Sequence, residues 1–405
     1  MIDERVTVGA AITLRADSMA NGGAAVGRHG ALVVFIQGAA PGELVTARII
    51  EVRKSFARAI VTAVIEPSPD RVAPPCPYFG ACGGCQWQFL DYPAQVRLKG
   101  EILREQFRRG LHLSDDDLAA FLRPPIAMVD PWRYRNVVTV EPTADHQPAF
   151  HHLHSAALVA IDHCPISQPT ISDALARLSA DGISDEMTIR ADDMDAAIAF
   201  HARERRTVSQ TLLGQRFRVS GGAFFQVNTR PEDRPESPAT SMADMLAQSV
   251  LDGLALAGTE TVLDLYAGVG VFAILAAPHA RRVIAVEEVP IAGTDARFNA
   301  TAANLDNVSV HIHKAERFMA TFTERVDAVV LDPPRAGCAS GVVDGLLRLH
   351  PARIVYASCD VATLIRDLRA LHDAYRIESV QIVDMFPQTY HLEAVTVLTR
   401  REKSR

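Results

Sequence analysis

Short apolar runs alternate with amphipathic stretches through the second half of the chain. The apolar runs are rich in Val, Ile and Leu, and the stretches between them have apolar positions at helical spacing. The runs predict buried strands at Thr261–Leu265, Val283–Val286, Val308–Ile312, Ala328–Leu331 and Arg353–Ala357. Strands that alternate with helices are typical of a doubly wound α/β domain with a mainly parallel sheet.

The first 65 residues follow a different pattern, with short β-rich runs and closely spaced turn signals. Gly22-Gly23, His29-Gly30 and Pro41-Gly42 mark these turns, and such spacing predicts a small β-barrel. A proline-rich linker, "EPSPDRVAPPCP", then leads to a predicted helix over about 91–110. Between about 125 and 225 the pattern is mixed.

Length and composition indicate a globular protein with several domains. At 405 residues and 48% hydrophobic content, the chain can bury more than one core. No apolar run approaches the roughly 20 residues that cross a bilayer, and "MIDERVTV" lacks the features of a signal peptide. We therefore expect a cytoplasmic protein without membrane association. The six cysteines are then not expected to form disulfides, so a cluster of them indicates metal binding or catalysis.

The net charge neither supports nor excludes a nucleic-acid partner. A formal charge of −7 gives no overall attraction to RNA or DNA, so binding would need local basic patches. The first 65 residues carry seven Lys or Arg against five acids, a local charge of +2. This balance permits a barrel that faces nucleic acid, and it is equally typical of an ordinary solvated surface.

A glycine-containing loop follows the first predicted parallel strand. In "DLYAGVGVF", Gly268 and Gly270 lie between a strand and a helix, where the backbone can turn tightly and approach a ligand. The spacing also fits the turn of nicotinamide-dependent enzymes, so it leaves the cofactor open. Glu287, at the end of the next strand, is placed to bind the ribose hydroxyls of a nicotinamide cofactor or of another cofactor that contains ribose.

Asp332 and Cys359 each follow a further predicted strand. Two prolines after Asp332, in "LDPPR", fix a rigid turn at the carboxyl edge of the sheet, where ligands of such sheets bind. Cys359, after "IVYAS", is by itself either a packed thiol or a nucleophile. Because both residues share an edge with the Gly268 loop, the nucleophile interpretation is favoured. It requires surroundings that lower the pKa of the thiol.

Four cysteines form a pattern of candidate metal ligands, namely Cys76, Cys82, Cys85 and Cys164. Two glycines between the second and third allow the chain to wrap closely around a bound group. Four thiolates can hold either a cubane iron–sulfur cluster or a tetrahedral zinc ion. The residues alone leave both alternatives open.

Together these motifs resemble the RNA uracil-C5 methyltransferases, which use S-adenosylmethionine to form 5-methyluridine. The resemblance is to members with an N-terminal TRAM barrel and an iron–sulfur cluster, and it covers nearly the whole chain. "GGAAVGRHG" and "VFIQGAAPGE" resemble TRAM, and "CPYFGACGGCQWQ" resembles the cluster motif. Five further segments resemble the methyltransferase motifs of the family in the same order: "GAFFQVN", "DLYAGVGVF", "LDPPRAG", "YASCD" and "HLEAVTVL".

The resemblance implies a multidomain α/β fold in three parts. Residues 1–65 would form a TRAM-like, OB-like barrel that binds RNA, and residues 66–225 a central α+β iron–sulfur domain. Residues 226–405 would form a Rossmann-like class I methyltransferase domain, on which the helix over about 91–110 would pack.

The resemblance also implies roles for individual residues. S-adenosylmethionine would be held by Gln226, Tyr266, Gly268, Glu287 and Asp332. Cys359 would add to carbon 6 of uracil, and Glu393 of "HLE" would remove the proton from carbon 5. The four cysteines named above would hold a [4Fe–4S] cluster with a structural role, since methyl transfer consumes no electrons. The partner would be RNA, with 23S ribosomal RNA favoured and transfer RNA the alternative, and the chain is expected to be a monomer.

Other residues receive a plainer interpretation. Cys338 in "DPPRAGC" is interpreted as packing, because cytosine-C5 RNA methyltransferases carry their nucleophile directly after the proline and here Arg-Ala-Gly intervenes. His391 is interpreted as a structural hydrogen-bonding residue. The chain departs from the usual family pattern at Val271, Lys314 and Val361.

Two rival functions come from other classes. An iron–sulfur oxidoreductase that uses a nicotinamide cofactor is disfavoured by "SCD" and "DPPR". A non-catalytic RNA-binding factor is disfavoured because Cys359 and Glu393 are both present.

Overall fold

The structure is a computed structural model that describes residues 6–153, 155–194, 196–201, 204, 206–232 and 240–402. The chain forms two compact units. The first unit contains Met1–Glu105, His151–Val159 and Phe386–His391, and the second contains Gln106–Phe150, Ala160–Met385 and Leu392–Arg405. Three charged residues counted for the predicted barrel, Asp3, Glu4 and Arg5, lie outside the described residues.

The first unit contains a closed barrel. Its strands are β1 (Ala11–Met19), β2 (Ala25–His29), β3 (Leu32–Gln37), β4 (Leu44–Val52) and β5 (Phe56–Glu66). They are ordered β1-β2-β3-β5-β4, and β4 pairs with β1 to close the barrel. Alternate apolar side chains point inward, and the same core includes Trp87, Phe89 and Leu90 beyond the barrel. The barrel predicted from the turn spacing is therefore confirmed.

One of the predicted turns needs glycine for a steric reason. Gly23 has a φ of 84°, a conformation that L residues rarely adopt. A Cβ at this position would lie 2.6 Å from Cβ of Tyr390. The carbonyl of Gly23 also accepts a hydrogen bond of 3.0 Å from the Trp87 indole.

Short elements lie between α1 and the main sheet of the second unit. They are α2 (Asp115–Phe121), β6 (Val137–Pro142), β7 (Pro148–His151), β8 (Leu158–Ala160), α3 (Pro169–Asp181), β9 (Met187–Asp192), β10 (Ala196–Phe200), β11 (Thr207–Leu212) and β12 (Gln215–Ser220). They form a sheet of order β10-β9-β6-β7-β8 and a two-stranded β11-β12 ribbon. The mixed sequence pattern of this region therefore corresponds to short α and β elements.

The main sheet is built from alternating strands and helices. In chain order these are α4 (Met242–Leu254), β13 (Thr261–Leu265), α5 (Val271–Ala276), a 3₁₀ turn (Ala277–His279), β14 (Arg282–Glu287), α6 (Pro290–Ala302), β15 (Val308–Ile312), α7 (Ala315–Thr321), β16 (Ala328–Leu331), α8 (Ser340–Leu349), β17 (Arg353–Ser358), α9 (Val361–Leu371), β18 (Tyr375–Ile382) and β19 (Ala394–Arg400). The five predicted strands all form, with boundaries that differ by at most one residue.

The order of this seven-stranded sheet is β15-β14-β13-β16-β17-β19-β18. The strands β13 to β17 pair in parallel, and their side chains are buried or partly buried because helices cover such a sheet on both faces. In contrast, β19 runs antiparallel to β17 and β18. The start of β19 therefore lies at the edge where the parallel strands end.

The predicted helix over about 91–110 is α1 (Tyr92–Leu111). Before it, Asp91 Oδ1 accepts a 2.7 Å hydrogen bond from the Ala94 N–H, as a helix N-cap does. Its last turn belongs to the second unit, where the Gly110 carbonyl accepts a 2.5 Å hydrogen bond from Arg369 Nε of α9. In the part of the chain that the structure describes, no helix is both long enough and apolar enough to cross a membrane.

Candidate active site

The loop between β13 and α5 turns on two glycines. Gly268 and Gly270 have φ values of 56° and 89°, and a Cβ on Gly270 would lie 3.2 Å from Cβ of Ala296. The space where Gly268 would carry a side chain is open. The Gly268 N–H donates a 2.8 Å hydrogen bond to Glu287 Oε2, while Glu287 Oε1 accepts one of 2.7 Å from Val289. The loop and the end of β14 are thus fixed together beside an opening.

Asp264 lies in β13 below this loop and is fully buried. Its Oδ2 accepts a 2.9 Å hydrogen bond from the Ala273 N–H of α5, whereas its Oδ1 has no hydrogen-bond partner among the described residues. Burial, together with the nearby carboxylates of Asp332 and Glu287, raises the pKa of Asp264 well above its usual range. The site therefore begins with an excess of buried carboxyl groups.

Asp332 follows β16 and meets Gln226, which comes from the segment after β12. The Gln226 amide donates a 3.4 Å hydrogen bond to Asp332 Oδ2. Burial raises the pKa of Asp332 to about 7. This carboxyl group is therefore able to take up or release a proton near neutral pH.

Cys359 and Glu393 are brought together by the register of β17 and β19. Ser358 at the end of β17 pairs with Ala394 at the start of β19, so Cys359, which follows β17, and Glu393, which precedes β19, lie one step further at the same edge. Glu393 is 5% exposed, and its Oε1 has no hydrogen-bond partner within the described ranges. Burial, and then the charge of Asp332, raises the pKa of Glu393 well above its usual range.

The Cys359 thiol is partly buried. Burial first, and then the charges of Glu393 and Asp332, raises its pKa to about 12, while Arg335 acts in the opposite direction. The sequence interpretation required a lowered pKa, and the structure shows the reverse, because the thiol is partly buried and lies near the carboxyl groups of Glu393 and Asp332. Protonation of these two carboxyl groups, or a cation between them, would remove the electrostatic part of this increase.

Tyr266 is directed toward the loop that follows Asp332. It has a φ of 66°, and its hydroxyl accepts a 3.4 Å hydrogen bond from the Ala339 N–H. Burial raises the pKa of Tyr266, so its hydroxyl stays protonated. Cys338, in the same loop, is 5% exposed, which agrees with its interpretation as a packing residue.

Several residues that support this site carry no motif. The Asn136 amide, fully buried on the approach to β6, donates to the Gln226 carbonyl at 2.9 Å and to Gln210 Oε1 at 2.8 Å. It also donates to Thr229 Oγ1 at 2.9 Å. These residues fix the backbone that presents Gln226. A lone Asn in a region of mixed pattern gives no sequence signal, whereas Arg335 lies within the motif "LDPPRAG", although no role was predicted for it from the sequence.

The candidate metal ligands are divided between the two units. Cys76, Cys82 and Cys85 belong to the first unit and Cys164 to the second, and none of the four is in a disulfide. Cys82 Sγ accepts a 3.4 Å hydrogen bond from the Gly84 N–H. Over the described ranges, no three His, Cys, Asp or Glu residues form a group that could hold a metal ion.

Comparison with known proteins gives two family matches. A sequence profile described as tRNA (Uracil-5-)-methyltransferase matches residues 173–401, and a profile of the TRAM domain matches residues 5–62. A protein of Listeria innocua named as an uncharacterized RNA methyltransferase is 31% identical, over 94% of this chain and 95% of its own. A protein of the same description from Thermosynechococcus vestitus is 30% identical, over 96% and 98%.

Among solved structures, the chain is similar to the tRNA (uracil-54, C5)-methyltransferase of Pyrococcus abyssi, determined in complex with S-adenosyl-L-homocysteine. The TM-score is 0.72 at 23% sequence identity, over 95% of this chain and 99% of the other. This similarity is one of fold, and it extends over both the N-terminal barrel and the C-terminal sheet.

Proposed function

Because this chain is an RNA methyltransferase of the tRNA (uracil-5-)-methyltransferase family, we propose that it acts on a uridine through a covalent bond from Cys359. The methyl group is transferred from S-adenosylmethionine to carbon 5 of the base. One observation carries the proposal: the β17–β19 register puts a thiol and a buried carboxyl group side by side at the carboxyl edge.

The chemistry explains why a thiol is needed. Carbon 5 of uracil is too weak a nucleophile to accept a methyl group unaided. Addition of the Cys359 thiolate to carbon 6 makes the ring an enolate with an electron-rich carbon 5, which splits one difficult step into two easier ones. Carbon 5 then carries both the new methyl group and its original proton.

Glu393 completes the reaction as the base. Removal of the carbon-5 proton restores the double bond between carbons 5 and 6 and expels the Cys359 sulfur as the leaving group. Glu393 is suited to this step because Oε1 has no hydrogen-bond partner in the described part of the chain and its carboxylate has a raised affinity for protons. The base must be ionised before this step.

S-adenosylmethionine supplies the methyl group on a sulfonium cation, whose positive charge favours the ionised forms of nearby acids. One of the residues proposed to hold it is Gly268, where a Cβ would meet no atom within 4 Å, so that the backbone is open to a ligand. Glu287 would bind the ribose hydroxyls, and Gln226, Tyr266 and Asp332 would line the side toward Cys359. An excess of buried carboxyl groups suits a cationic ligand, and their ionisation in its absence is unfavourable.

RNA recognition is assigned to the barrel, together with the edge that carries Cys359. The target base must leave its stack to reach the thiol, so an unpaired uridine is the expected substrate. We favour 23S ribosomal RNA as the target, with transfer RNA as the alternative, on the resemblance to relatives that carry both TRAM and cysteine motifs.

The cysteine motif carries a separate proposal, that Cys76, Cys82, Cys85 and Cys164 bind a [4Fe–4S] cluster. It rests on their spacing, on the family resemblance and on their partial exposure without disulfides. The cluster would have a structural role, and no step of the methyl transfer depends on it, because that reaction consumes no electrons. Protein purified without oxygen should contain about four irons per chain. Stoichiometric zinc without iron would contradict the proposal.

The function is tested by product analysis. Purified enzyme, methyl-labelled S-adenosylmethionine and RNA from cells that lack the gene should yield labelled 5-methyluridine, mapped to ribosomal or transfer RNA by digestion and mass spectrometry. RNA from cells that have the gene is the matched control, since its site is already methylated. Label in any other nucleoside would contradict the proposal.

A further inference from the structure

The helix that follows Cys359 is attached to the loop that follows Asp332. From one face of α9, Thr363 Oγ1 donates to the Arg335 carbonyl at 3.2 Å. One turn later, Arg366 Nη2 donates to the Cys338 carbonyl at 3.0 Å, and Asp367 Oδ2 accepts from the Cys338 N–H at 2.8 Å. Side chains at i, i+3 and i+4 therefore hold both ends of the segment from Arg335 to Cys338.

Asp367 is the centre of this attachment. It is 3% exposed, and its Oδ2 also accepts a 2.8 Å hydrogen bond from the Tyr356 hydroxyl of β17. Its Oδ1 accepts from Arg366 Nε at 2.8 Å. A buried carboxylate is tolerated when each oxygen has such partners, so this group joins β17, α9 and the loop rigidly.

The close approach of the loop is visible at Gly337. This residue has a φ of 73°, and a Cβ there would lie 2.5 Å from Arg366 Nη2 and 2.8 Å from Asp367 Oδ2. The loop therefore lies directly on the side chains of α9, without room for a side chain between them.

We infer that Asp367 is a positioning residue that holds the loop carrying Arg335 against α9, the helix that begins two residues after Cys359, and thereby sets the reactivity of the thiol. The inference rests on the proposed function, in which Cys359 is the nucleophile. Of the charged groups that act on the thiol, Glu393 and Asp332 disfavour the thiolate, and the exposed Arg335 favours it. Holding the backbone of Arg335 against α9 keeps this guanidinium on the same side of the sheet edge as the thiol, where its charge counteracts the carboxylates.

The sign of the effect separates positioning from direct electrostatics. Asp367 is itself an anion, so replacing it with a neutral residue would favour the thiolate if its charge acted directly on Cys359. If Asp367 acts through Arg335, the same replacement frees the loop, the guanidinium moves away and the thiolate is disfavoured. The two explanations predict opposite changes.

The experiment is the pH dependence of Cys359 alkylation by iodoacetamide in the full chain, followed peptide by peptide with mass spectrometry. In Asp367→Asn the alkylation of Cys359 should slow by about 3- to 10-fold at a given pH, and the profile should move to higher pH. Tyr356→Phe is the matched control, because it removes one partner of Asp367 and leaves all three hydrogen bonds between α9 and the loop. It should slow alkylation less than 2-fold.

A double-mutant cycle tests the route through Arg335. Arg335→Ala should slow alkylation as Asp367→Asn does, and the combined variant should be no slower than either alone. If Asp367→Asn does not fold, Thr363→Val replaces it in the cycle, since it removes the bond to the Arg335 carbonyl. Faster or unchanged alkylation in the folded variant, or additive effects, would overturn the inference. Because alkylation needs no methyl transfer, a wrong assignment of the nucleophile would appear separately, as 5-methyluridine made by Cys359→Ala.

Discussion

Two thiols of the second unit, Cys338 and Cys359, have surroundings that raise the pKa of each to about 12. Around Cys338 the cause is burial and then Asp367, in a network where its thiol contacts the Tyr356 hydroxyl at 3.7 Å. Around Cys359 the cause is burial and then Glu393 and Asp332. The first environment is closed and its carboxylate is fully bonded. The second is partly open, and Glu393 keeps an oxygen without a partner in the described part of the chain.

The difference teaches that a shifted pKa does not by itself identify a nucleophile. Cys359 differs from Cys338 because it follows β17, near the carboxyl groups of Glu393 and Asp332. Binding of a cationic ligand or transfer of a proton can change the charges of these two groups. Cys338 has neighbours whose charges are already balanced, because Arg366 pairs with Asp367 at 2.7 Å. Surroundings whose charges can change suit a catalytic thiol, whereas fully paired and hydrogen-bonded surroundings suit a thiol that only packs.

The largest expected difference between the two thiols is in activity. Cys359→Ala should lower the rate of 5-methyluridine formation by roughly 10³-fold or more, since the enolate can no longer form. Cys338→Ala should lower it by less than about 3-fold and cost about 1–2 kcal/mol of stability, because a buried side chain is truncated. Both are measured with labelled S-adenosylmethionine and by thermal unfolding. Equal losses of activity in Cys359→Ala and Cys338→Ala would contradict the assignment of Cys359 as the nucleophile and Cys338 as a packing residue.

A smaller difference is expected in accessibility. In the folded protein, iodoacetamide should modify Cys359 at least about 10²-fold faster than Cys338, because Cys338 reacts only when the structure opens. The rates are read from the two cysteine-containing peptides, and denatured protein serves as the control in which they should be similar. Comparable rates in the folded state would show that Cys338 is also open.

The smallest difference is in stability, and its sign is opposite in the two regions. Asp332→Asn should stabilise the ligand-free protein at pH 8 by about 1–3 kcal/mol, because ionisation of the partly buried native carboxyl is unfavourable. Asp367→Asn should destabilise it by a similar amount, because bonds to Cys338, Tyr356 and Arg366 are weakened.

The pH dependence provides the control for that comparison. The pKa of Asp332 is raised from 3.8 to about 7, so between these values the folded state binds more protons than the unfolded state. Stability should therefore rise as the pH falls from 8 to 4, and the advantage of Asp332→Asn should fade over the same range. An advantage independent of pH in denaturant titrations would contradict this account.

The sequence predicted the structure best in the parallel sheet, where the pattern of apolar residues is regular and the functional motifs lie at the strand ends. The parallel strands were predicted nearly to the residue, because short β-branched runs bounded by polar turns have few other interpretations. The region from about 125 to 225 was not resolved, since its elements are short and their packing depends on distant partners. Asn136, for example, contacts Gln210 and the Gln226 carbonyl, 74 and 90 residues away.

The candidate site was predictable in its composition and less so in its electrostatics. Motif residues at strand ends placed Cys359 and Asp332 at one edge, because parallel strands share a direction. The neighbourhood of Cys359 and Glu393 depended on β19 being antiparallel, which the order of residues does not specify. The raised pKa values of Cys359 and Glu393 depend on burial and on carboxylates from separate strands, which the sequence does not reveal. The role of Asp367 is equally hidden, because its sequence neighbours form an ordinary helix.

The central claim, that Cys359 and Glu393 act on opposite sides of one covalent intermediate, is tested most directly by trapping that intermediate in Glu393→Gln. The variant keeps the shape of the side chain but removes the base, so methyl transfer should occur and the adduct should persist. A denaturing gel should then show a slow band that carries the methyl label and disappears after ribonuclease treatment. The band should be absent from Cys359→Ala and from Glu393→Gln combined with Cys359→Ala. Normal turnover by Glu393→Gln without a trapped species, or a labelled band that survives loss of Cys359, would contradict the account.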